Sequence, residues 1–464
     1  MILDDGSFRD PSGYVVHNQG KIYRIINPIA IERYGELKNS GLLEKLITNK
    51  MLVNTWNVSS DHLPGMSNCL IVEHEKIPII TYPYEWTPTQ LKSAAIFHLD
   101  LHLFLLDHDW HLSDATAYNV QFDPHSGNPI FIDLLSIEPY IEGEYWAGHN
   151  QFCEQFLNPL ILYCKLKIPF NDIYKGTMKG VSSLHTNRML PISKYFSPTL
   201  LTNIVLPSRI QSNSTNKGIK NSTQLNKVAK PLPKIALQNI LMNLKGYILN
   251  LETVHKYKST WSNYEIDKTY TESSNKIKVG FIKDFCSEVK PNVLWDIGCN
   301  SGEFSQVAFE SGAKSIIGID GDIEALNTAY SRFKSTDYCF TPIYSDLSNP
   351  SPNIGWNLKE RSELTKRSKP DSILALALLH HLVIGSNIPM KSVISWILSL
   401  SSRGVIEFVG KDDETVIEML TFREDIFSDY HVDNFREIIS KDAKIVKEHK
   451  IPNSDRVIFW YEVI

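Results

Sequence analysis

The stretch "VLWDIGCNSGEFS", residues 293–305, places a short apolar strand directly before a glycine-bearing turn and the start of a helix. Gly298 permits a tight turn, and Gly302 lets the backbone approach a ligand closely. Asp296 stands near the carboxyl end of the strand, where open α/β sheets bind their ligands. We therefore predict a ligand site at this turn.

A second apolar strand, "SIIGID" at residues 315–320, ends in Asp320. A carboxylate in this position can accept hydrogen bonds from both hydroxyls of a ribose. The turn has the spacing D-x-G-x-N-x-G and lacks the G-x-G-x-x-G sequence of dinucleotide sites, so NAD is not favoured. We expect a ligand that contains a ribose.

The C-terminal part of the chain alternates strands with helices, which predicts a parallel sheet with helices on both faces. The strands are "VLWDIG", "SIIGID", "SILALALL" and "GVIEFVG". The last stretch, from Arg423 onwards, predicts a helix followed by a final strand pair. This part of the chain is therefore expected to be an α/β domain.

Asp296, Gly298, Asn300 and Gly302 resemble motif I of class I S-adenosylmethionine-dependent methyltransferases, with Asn300 where a glycine is usual. The resemblance covers roughly residues 276–464. It implies a Rossmann-like fold and S-adenosyl-L-methionine as the cofactor. Asp320 would hold the ribose, and Asp346 in "YSDL" would receive the adenine amino group. The residues implied to bind the cofactor are Asp296, Gly298, Cys299, Asn300, Gly302, Asp320, Gly321, Asp346 and Leu347.

The stretch "DSILALALLHHL" resembles the fourth strand of the same family and the loop after it, where a His-His pair often stands near the reacting methyl group. Because a histidine can accept a proton near neutral pH, His381 is the candidate base or acceptor-positioning group, with His380 as the alternate. Each histidine could instead be a hydrogen-bonded packing residue. Glu407 in "VIEFV" is a weaker candidate because it could simply cap the sheet.

An aromatic stretch before the first sheet strand, "STWSNYEIDKTYTESSNK", stands where many such enzymes place a lid over the cofactor. Aromatic side chains with polar tips suit that role. The alternative is an aromatic packing helix. The candidate lid or substrate residues are Trp261, Tyr264, Tyr270 and Lys276.

The segment from Pro207 to Lys234 is rich in Ser, Asn, Thr and Lys and nearly free of large apolar residues, so it predicts a linker. Its charges are all positive, which leaves a basic tether for nucleic acid as an alternative to a solvated linker. The domains predicted on either side are residues 1–205 and 236–464, with the linker at 206–235. The net charge of -5 gives no general attraction to nucleic acid.

In the N-terminal part, "LSDATAYNVQFDPHSGNPIFIDLLS" at residues 112–136 contains Asp114, Asn119 and Asp133. Their order and spacing resemble the catalytic and metal-binding loops of the protein-kinase and aminoglycoside-phosphotransferase superfamily. The resemblance implies an α+β protein-kinase-like domain, with Asp114 as the base and the other two residues holding Mg and ATP. The upstream strand candidates, "KIYRII" at 21–26, "NCLIVE" at 68–73 and "IPIITY" at 77–82, and the long helix candidate from Thr89 to His108 agree with it.

Parts of that superfamily pattern are missing, so we expect a degenerate domain that binds a ligand, carries the acceptor or packs on the methyltransferase. No glycine-rich loop precedes the first strand, and Lys21 or Arg24 would have to replace the usual lysine, with Glu32 or Glu36 as its partner. An Asx-rich turn between two hairpin strands is the alternative interpretation. A cluster of four histidines could indicate a zinc site, but no clear third ligand accompanies the i, i+4 pair of His98 and His102. The cluster consists of His98, His102, His108 and His111.

The whole chain also resembles a set of bacterial two-part proteins, some tied to nodulation or to polysaccharide and secondary-metabolite clusters. The phrases "DATAYNVQF", "IDLLSIEPY", "QFCEQFLNPL" and "EFVGKDDETVIEML" carry this likeness. We therefore predict a methyltransferase that acts on oxygen or nitrogen of a small molecule or glycan. The alternatives are a bifunctional or ATP-dependent small-molecule kinase and a non-catalytic S-adenosylmethionine-binding scaffold.

The bulk composition predicts a cytoplasmic protein. The 464 residues are too many for one core, which agrees with the two-domain plan. The six cysteines are scattered without a C-x2-C pair, as expected in a reducing compartment. The polar start "MILDDGSFRD" is unlike a signal peptide, and no apolar stretch is long enough to span a bilayer, so no membrane partner is expected.

Overall fold

The computed structural model describes residues 1–59, 63, 69–191, 197–208, 231–254, 272–421 and 423–464. The chain divides into two compact units. The first unit contains residues 1–123, 128–253 and 353–361, and the second contains residues 124–127, 254–352 and 362–464. Each unit therefore includes one short segment that interrupts the sequence of the other.

Within the described residues, the first unit is built on a five-stranded antiparallel sheet in the order β1-β2-β3-β5-β4. Two short antiparallel pairs, β6 with β9 and β7 with β8, follow the sheet. The strands are β1 (Ile2–Leu3), β2 (Gly13–Asn18), β3 (Lys21–Ile26), β4 (Thr55–Asn57), β5 (Leu70–His74), β6 (Trp110–Leu112), β7 (Val120–Phe122), β8 (Pro129–Phe131) and β9 (Ile137–Pro139).

The helices of the first unit follow and interrupt these strands, which makes the unit an α+β arrangement. Short π-helical turns join several of the helices between residues 149 and 205. The α-helices are α1 (Pro28–Asn39), α2 (Leu42–Thr48), α3 (Pro88–Leu106), α4 (His149–Phe152), α5 (Asn158–Ile161), α6 (Asn171–Thr177), α7 (Ser183–Met189), α8 (Pro198–Leu200) and α9 (Lys234–Leu249).

Helix α3 is the central helix of the first unit, and its start is fixed by a capping box. The Thr87 hydroxyl accepts from the Gln90 backbone N–H at 3.2 Å, and the Gln90 side chain accepts from the Thr87 N–H at 2.9 Å. Pro88 occupies the first turn, where its missing N–H has no cost. The predicted helix from Thr89 to His108 is confirmed at this position.

The stretch "IPIITY" at residues 77–82, which we expected to be a strand, is not one. Pro78 cannot donate to a sheet ladder. The Thr81 backbone N–H instead donates to the Gln121 side chain at 2.9 Å, and the Gln121 amide donates to the Thr81 carbonyl at 2.8 Å. A side chain therefore satisfies the backbone groups that a neighbouring strand would have satisfied.

Helix α9 belongs to the first unit, whereas the sequence placed residue 236 at the start of the second domain. Its apolar side chains, which include Leu241 and Leu244, are buried, and the helix packs along α3. Lys245 forms an ion pair with Asp100 of α3 at 2.5 Å. The amphipathic face of α9 could not reveal from sequence alone which neighbour would cover it.

The second unit contains a seven-stranded sheet in the order β12-β11-β10-β13-β14-β16-β15. Strands β10 to β14 pair in parallel, and β16 joins antiparallel between β14 and β15. The predicted α/β domain with a closing hairpin is thus confirmed. The strands are β10 (Val293–Ile297), β11 (Ser315–Asp320), β12 (Cys339–Tyr344), β13 (Ser372–Ala375), β14 (Arg403–Val409), β15 (Ala443–Lys450) and β16 (Arg456–Val463).

Helices cover both faces of this sheet. Phe281 and Phe285 of α10 and Ala308 of α11 pack on one face, and α12 joins them through Phe333. On the opposite face, Phe435 of α16 contacts Phe408 of β14. The helices of this unit are α10 (Glu272–Val289), α11 (Glu303–Glu310), α12 (Ile323–Phe333), α13 (Leu364–Arg367), α14 (Met390–Leu400), α15 (Glu414–Leu420) and α16 (Val432–Asp442).

The parallel pairing brings the carboxyl ends of several strands together. Because β10, β11, β13 and β14 run in the same direction, their carboxyl ends meet at one edge of the sheet. In doubly wound sheets this edge is the ligand-binding edge. Among the described helices, none is long and apolar enough to cross a membrane.

The interior of the first unit contains two histidines whose side chains are fully buried. His98 and His102 lie on α3 with 0% exposure, and in the described part of the chain their ring nitrogens have no hydrogen-bond partner. Phe152 and Phe156 lie against the His98 ring, at centroid distances of 5.7 and 5.6 Å. Burial lowers the pKa of His98 to about 3.

Acid should therefore destabilise the protein. An unfolded chain protonates His98 below its ordinary pKa near 6.5, while the folded chain keeps it neutral down to about pH 3, so stability is lost as the pH falls through that range. When the pH is lowered from about 7 to about 5, the unfolding free energy of the wild type should fall by about 2 kcal/mol more than that of the His98→Leu variant, because the variant lacks this titrating group.

Urea denaturation at the two pH values measures this difference. The matched control is His185→Leu, because His185 is exposed in the same unit. Equal acid sensitivity in the wild type and the His98→Leu variant would contradict the prediction.

Candidate functional site

The turn after β10 has the conformation that its residue types permit. Gly298 and Gly302 adopt left-handed φ angles of 81° and 79°, and Asn300 adopts 48°. Asparagine tolerates this region better than most residues because its short side chain can bond locally, and here its oxygen accepts from the Ser301 N–H at 2.7 Å. Asn300 is therefore compatible with the turn although it replaces a glycine.

Asp320, at the carboxyl end of β11, holds this turn in place. One carboxylate oxygen accepts from the Asn300 N–H and the other from the Asp322 N–H, both at 2.7 Å. Burial raises the pKa of Asp320 to about 6, and the hydrogen bonds oppose that rise. An ionised carboxylate has more lone pairs than these two bonds use, so it can accept further hydrogen bonds from a ligand.

The side chain of Asp296 has a structural partner. It is 2% exposed, and the Ser305 hydroxyl of α11 donates to it at 2.6 Å. Burial raises the pKa of Asp296 to about 7. The residue therefore joins β10 to α11 beneath the turn.

Strand β12 brings Asp346 to the same edge. The exposed Asp346 carboxylate accepts from the N–H and the hydroxyl of Ser348, at 2.8 and 2.7 Å. The Ser345 N–H donates to the Asp320 carbonyl at 2.9 Å, which fixes the two strand ends side by side. Among the described residues, the buried Ser345 hydroxyl has no partner, and sequence reasoning missed this residue.

The other residues predicted to bind the cofactor differ in their position and in how far they are buried. Gly321 lies beside Asp346, since a Cβ at Gly321 would stand 3.8 Å from the Asp346 Cα. Leu347 is partly buried next to it. Cys299 is 6% exposed and packs in the core of the sheet face. The thiol is therefore a core group, and the Cys299 backbone N–H donates to the Ile319 carbonyl at 3.2 Å.

His380 and His381 follow β13 at the same edge. Their rings are 4.0 Å apart between centroids. His380 is fully buried, and its ring nitrogens have no hydrogen-bond partner within the described chain. His381 is half-buried and begins a π-helical turn that runs to Gly385. Burial lowers the pKa of His381 to about 4, with a smaller effect of Arg456, so its ring is neutral at physiological pH.

The backbone before the histidines is strained. Ala377 has a φ of 48°, in the left-handed region that side chains other than glycine and asparagine rarely adopt. Such a conformation costs on the order of 1 kcal/mol and persists where the surrounding structure holds it, often at functional sites. The strain directs the chain from β13 into the histidine turn.

The predicted lid residues fall mostly outside the described structure. Trp261, Tyr264 and Tyr270 lie outside the described residues. Lys276 is exposed on α10. A different residue of that helix, Lys278, is 1% exposed and pairs with Glu407 at 2.7 Å, so Glu407 is not a simple cap of the sheet.

In the first unit, the structure brings together the three residues that the sequence singled out. The Asn119 amide donates to both carboxylate oxygens of Asp114, at 3.2 and 3.4 Å, and to Asp133 at 3.1 Å. Burial raises the pKa of Asp114 to about 7, and the nearby Asp133 carboxylate adds to the rise. The hairpin of the alternative interpretation is also present, because β7 and β8 pair antiparallel and the Asp123 backbone N–H donates to the Asn128 carbonyl at 2.9 Å between them.

Arg24 of β3 is the cation of this cluster. Its guanidinium donates to Asp133 at 2.8 Å and to the Ile132 carbonyl at 3.2 Å. The partner is thus Asp133, where the sequence suggested Glu32 or Glu36, and Lys21 pairs with Glu73 instead. A guanidinium therefore neutralises the carboxylate that a metal ion would need.

Metal binding finds no support in the described part of the chain. No group of three or more His, Cys, Asp or Glu side chains there has an arrangement that could hold an ion. The kinase-like character of the first unit, and its use of Mg and ATP, stay predictions.

The sheet order, the glycine turn and Asp320 together define the second unit as a Rossmann-like domain of the class I methyltransferase type. N-methyltransferase NodS from Bradyrhizobium japonicum WM9, in complex with S-adenosyl-L-homocysteine, is 12% identical and covers 44% of this chain and 99% of its own, with a TM-score of 0.32. Magnesium protoporphyrin IX methyltransferase ChlM from Synechocystis PCC 6803, with bound S-adenosylmethionine, is 15% identical over 45% of this chain and 87% of its own, with a TM-score of 0.30.

The family of the chain follows from one curated relative. Nodulation protein NoeA of Rhizobium meliloti (strain 1021) is 40% identical over 463 residues, which is 98% of this chain and 95% of the relative. The chain belongs to the family of nodulation protein NoeA. The predicted resemblance to nodulation proteins is thereby confirmed. No family model matches the chain.

Substitution at Gly302 tests whether the turn needs the left-handed conformation seen in the structure. A Cβ added to Gly302 would stand 2.7 Å from the Phe333 ring, and its φ of 79° disfavours any larger residue. We expect Gly302→Ala to lower the unfolding free energy by about 1–3 kcal/mol. Gly280→Ala is the matched control, because Gly280 has open space in α10, and it should stabilise by about 0.5–1 kcal/mol.

Thermal and urea denaturation of the two variants measure the contrast. If Gly302→Ala proves as stable as Gly280→Ala, the turn does not need the conformation seen in the structure.

Proposed function

We propose that this protein is an S-adenosylmethionine-dependent methyltransferase that transfers a methyl group to oxygen or nitrogen of a small molecule or glycan. One observation carries the proposal. The Asp320 carboxylate closes the glycine turn by accepting from Asn300 and Asp322, and it retains acceptor capacity at the ligand-binding edge of the sheet.

The residues present fit this cofactor. Asp320 can accept from the ribose hydroxyls, and Asp346 stands at the adjoining strand end for the adenine amino group. The buried Ser345 hydroxyl, which has no partner among the described residues, lies at the end of the strand between Asp320 and Asp346 and leaves a further polar group for a ligand. These groups would hold the nucleoside end and leave the histidine turn for the acceptor.

When bound, S-adenosylmethionine supplies a methyl group on a positively charged sulfur, which makes the methyl an electrophile for in-line displacement. The protein then has to align the acceptor and, where needed, remove its proton. A neutral imidazole can do the second task. His381 is half-buried and therefore open to an acceptor, whereas His380 is fully buried behind it.

The acceptor class is proposed from the family of the chain and from the neutral histidine turn. The relative is a nodulation protein, which agrees with a role in bacterial biosynthesis. We propose a small molecule or glycan that offers a hydroxyl or amino group. The neutral His381 ring suits either, because it can accept a proton from both kinds of group.

A second candidate function, ATP-dependent phosphoryl transfer by the first unit, is favoured by the assembled Asp114, Asn119 and Asp133 cluster. The ion pair of Arg24 with Asp133 opposes it, because the guanidinium occupies the charge partner of a metal-binding carboxylate. A degenerate unit that retains the cluster for its own stability agrees with both observations. A non-catalytic S-adenosylmethionine-binding scaffold is the third candidate.

Isothermal titration distinguishes the first two candidates, and the methyl-transfer assay below separates an enzyme from a scaffold. We expect S-adenosylmethionine to bind the wild-type chain and Asp320→Asn to weaken binding by roughly 10- to 100-fold, because a charged acceptor is lost. Binding should also weaken as the pH falls below about 6, where Asp320 becomes protonated. Asp337→Asn is the control, since Asp337 is an exposed carboxylate in the same unit.

Titration with ATP and Mg on the same samples gives the comparison. Binding of ATP with Mg but not of S-adenosylmethionine would reverse the order of the two candidates. Equal S-adenosylmethionine affinity in wild type and Asp320→Asn would contradict the proposed site.

The histidine turn has its own test. We expect His381→Asn to reduce methyl transfer by about 100-fold or more with little change in S-adenosylmethionine affinity, because a general base typically contributes 10²–10⁴-fold. His380→Asn should have a smaller effect. Transfer of labelled methyl from S-adenosylmethionine to extracts of the producing bacterium measures the activity. Undiminished transfer in both variants would exclude the histidines from catalysis.

A further inference from the structure

One guanidinium joins two connections that leave the carboxyl edge of the sheet in the second unit. Arg423 follows α15 in the connection after β14, and the π-helical turn that begins at His381 lies in the connection after β13. The Arg423 side chain donates to the Ile384 carbonyl and to the side-chain oxygen of Asn387. These partners precede Arg423 by 39 and 36 residues, so sequence reasoning missed the contact.

The acceptors that Arg423 uses lie at the end of the π-helical turn. The last carbonyl groups of a helical turn have no partner within it. Ile384 is next to Gly385, the final residue of the turn, and Asn387 follows with a left-handed φ of 56°. A Cβ at Gly385 would stand 3.2 Å from the Met419 Cε of α15. A planar guanidinium can donate to two acceptors at once, so Arg423 caps this end of the turn.

Hydrogen bonds connect the capped end to the backbone of His381. The His381 N–H donates to the Leu378 carbonyl at 3.0 Å, and the His381 carbonyl accepts from the Ser386 hydroxyl at 3.4 Å. The Ile388 N–H donates back to the Leu382 carbonyl at 3.1 Å. Because these bonds lie within one turn and its exit, loss of the cap would displace the backbone that carries the imidazole.

Arg423 is itself held in a fixed position by the connection after β14. Its guanidinium lies 5.0 Å from the ring centroid of Phe427, which is buried. The Phe427 N–H donates to the Asp425 carboxylate at 3.0 Å. Asp425 in turn pairs at 2.7 Å with Lys411, which follows the end of β14. The guanidinium therefore reaches the π-helical turn from a connection that is anchored to the sheet.

A cap of this kind is what a catalytic turn requires. π-Helical turns are rare and are frequent at functional sites. The strained φ of Ala377 stands in the same connection. A general base has to be held within about 0.5 Å of its productive position by the contacts around it. His381 lies at the first position of the turn, so the geometry of the turn sets the position of its ring.

We propose that Arg423 is a positioning residue for methyl transfer: it caps the π-helical turn from the connection after β14 and thereby holds the His381 imidazole where it accepts the proton of the acceptor. This inference rests on the proposed function and deepens the same site. The guanidinium stays charged and takes no part in the proton transfer itself.

Two substitutions in the full chain test this role. Arg423→Met removes both donors, and we expect it to lower the transfer of labelled methyl by about 10- to 100-fold with little change in S-adenosylmethionine affinity, because a small misplacement of a catalytic group is costly. Arg423→Lys keeps the charge and a donor and should lose less. Arg403→Met is the matched control, since Arg403 is exposed at the start of β14, and it should transfer at the wild-type rate.

A double-mutant cycle with His381→Asn distinguishes positioning from a general structural role. If Arg423 acts through His381, then Arg423→Met should cause no further loss of transfer in the His381→Asn background. Losses that multiply in the double variant would show that Arg423 does not act through His381 and would overturn the proposal.

Amide hydrogen exchange gives a readout that does not depend on activity. We expect residues 381–388 to exchange faster in Arg423→Met than in the wild type, while residues 390–400 of α14 keep their protection, because loss of the cap opens the turn locally. Unchanged protection of residues 381–388 in Arg423→Met would contradict the capping role.

The outcomes separate this inference from the proposed function. If the wild type neither binds S-adenosylmethionine nor transfers methyl, the proposed function fails, whereas faster exchange in Arg423→Met would still support the cap. If the wild type transfers methyl and Arg423→Met does so at the same rate, the proposed function stands and the role of Arg423 is overturned.

Discussion

The carboxylate of Asp320 accepts from two backbone N–H groups, those of Asn300 and Asp322, and this constraint organises the second unit. Two oxygens of one side chain thereby join the turn after β10 to the turn after β11. The turn can close in this way because Gly298, Asn300 and Gly302 all adopt left-handed φ angles. These hydrogen bonds from the backbone to one carboxylate therefore fix the two turns at the carboxyl edge of the sheet relative to each other.

The same edge combines neutral and charged groups in an ordered way. The histidine turn after β13 presents imidazoles whose burial keeps them neutral, and the strained φ of Ala377 directs the chain into that turn. Within the same unit, Lys278 pairs with Glu407 and Arg456 pairs with Asp413. This edge therefore carries neutral imidazoles, while the charges of the same unit are paired with one another.

The acidic cluster of the first unit has the residue types of a kinase catalytic loop, but a side chain of the protein supplies its positive charge. Asp114, Asn119 and Asp133 come together as their spacing predicts, yet Arg24 supplies the positive charge next to Asp133. A guanidinium donates in a fixed planar geometry, and Arg24 thereby takes up one oxygen of the Asp133 carboxylate directly. The cluster is thus a stable ion-pair network inside an α+β unit.

The sequence by itself determined the α/β order of the second unit, its glycine turn and the place of Asp320, because these depend on local periodicity and on residues that few backbone conformations tolerate. Family membership also followed from sequence. Only the tertiary structure decided that α9 packs on α3, that residues 77–82 form no strand, that Arg24 pairs with Asp133, and that Lys278 meets Glu407. Each of these features depends on a partner that is distant in the chain. The residues next to a side chain in the sequence do not indicate which distant group will pair with its charge or cover its apolar face.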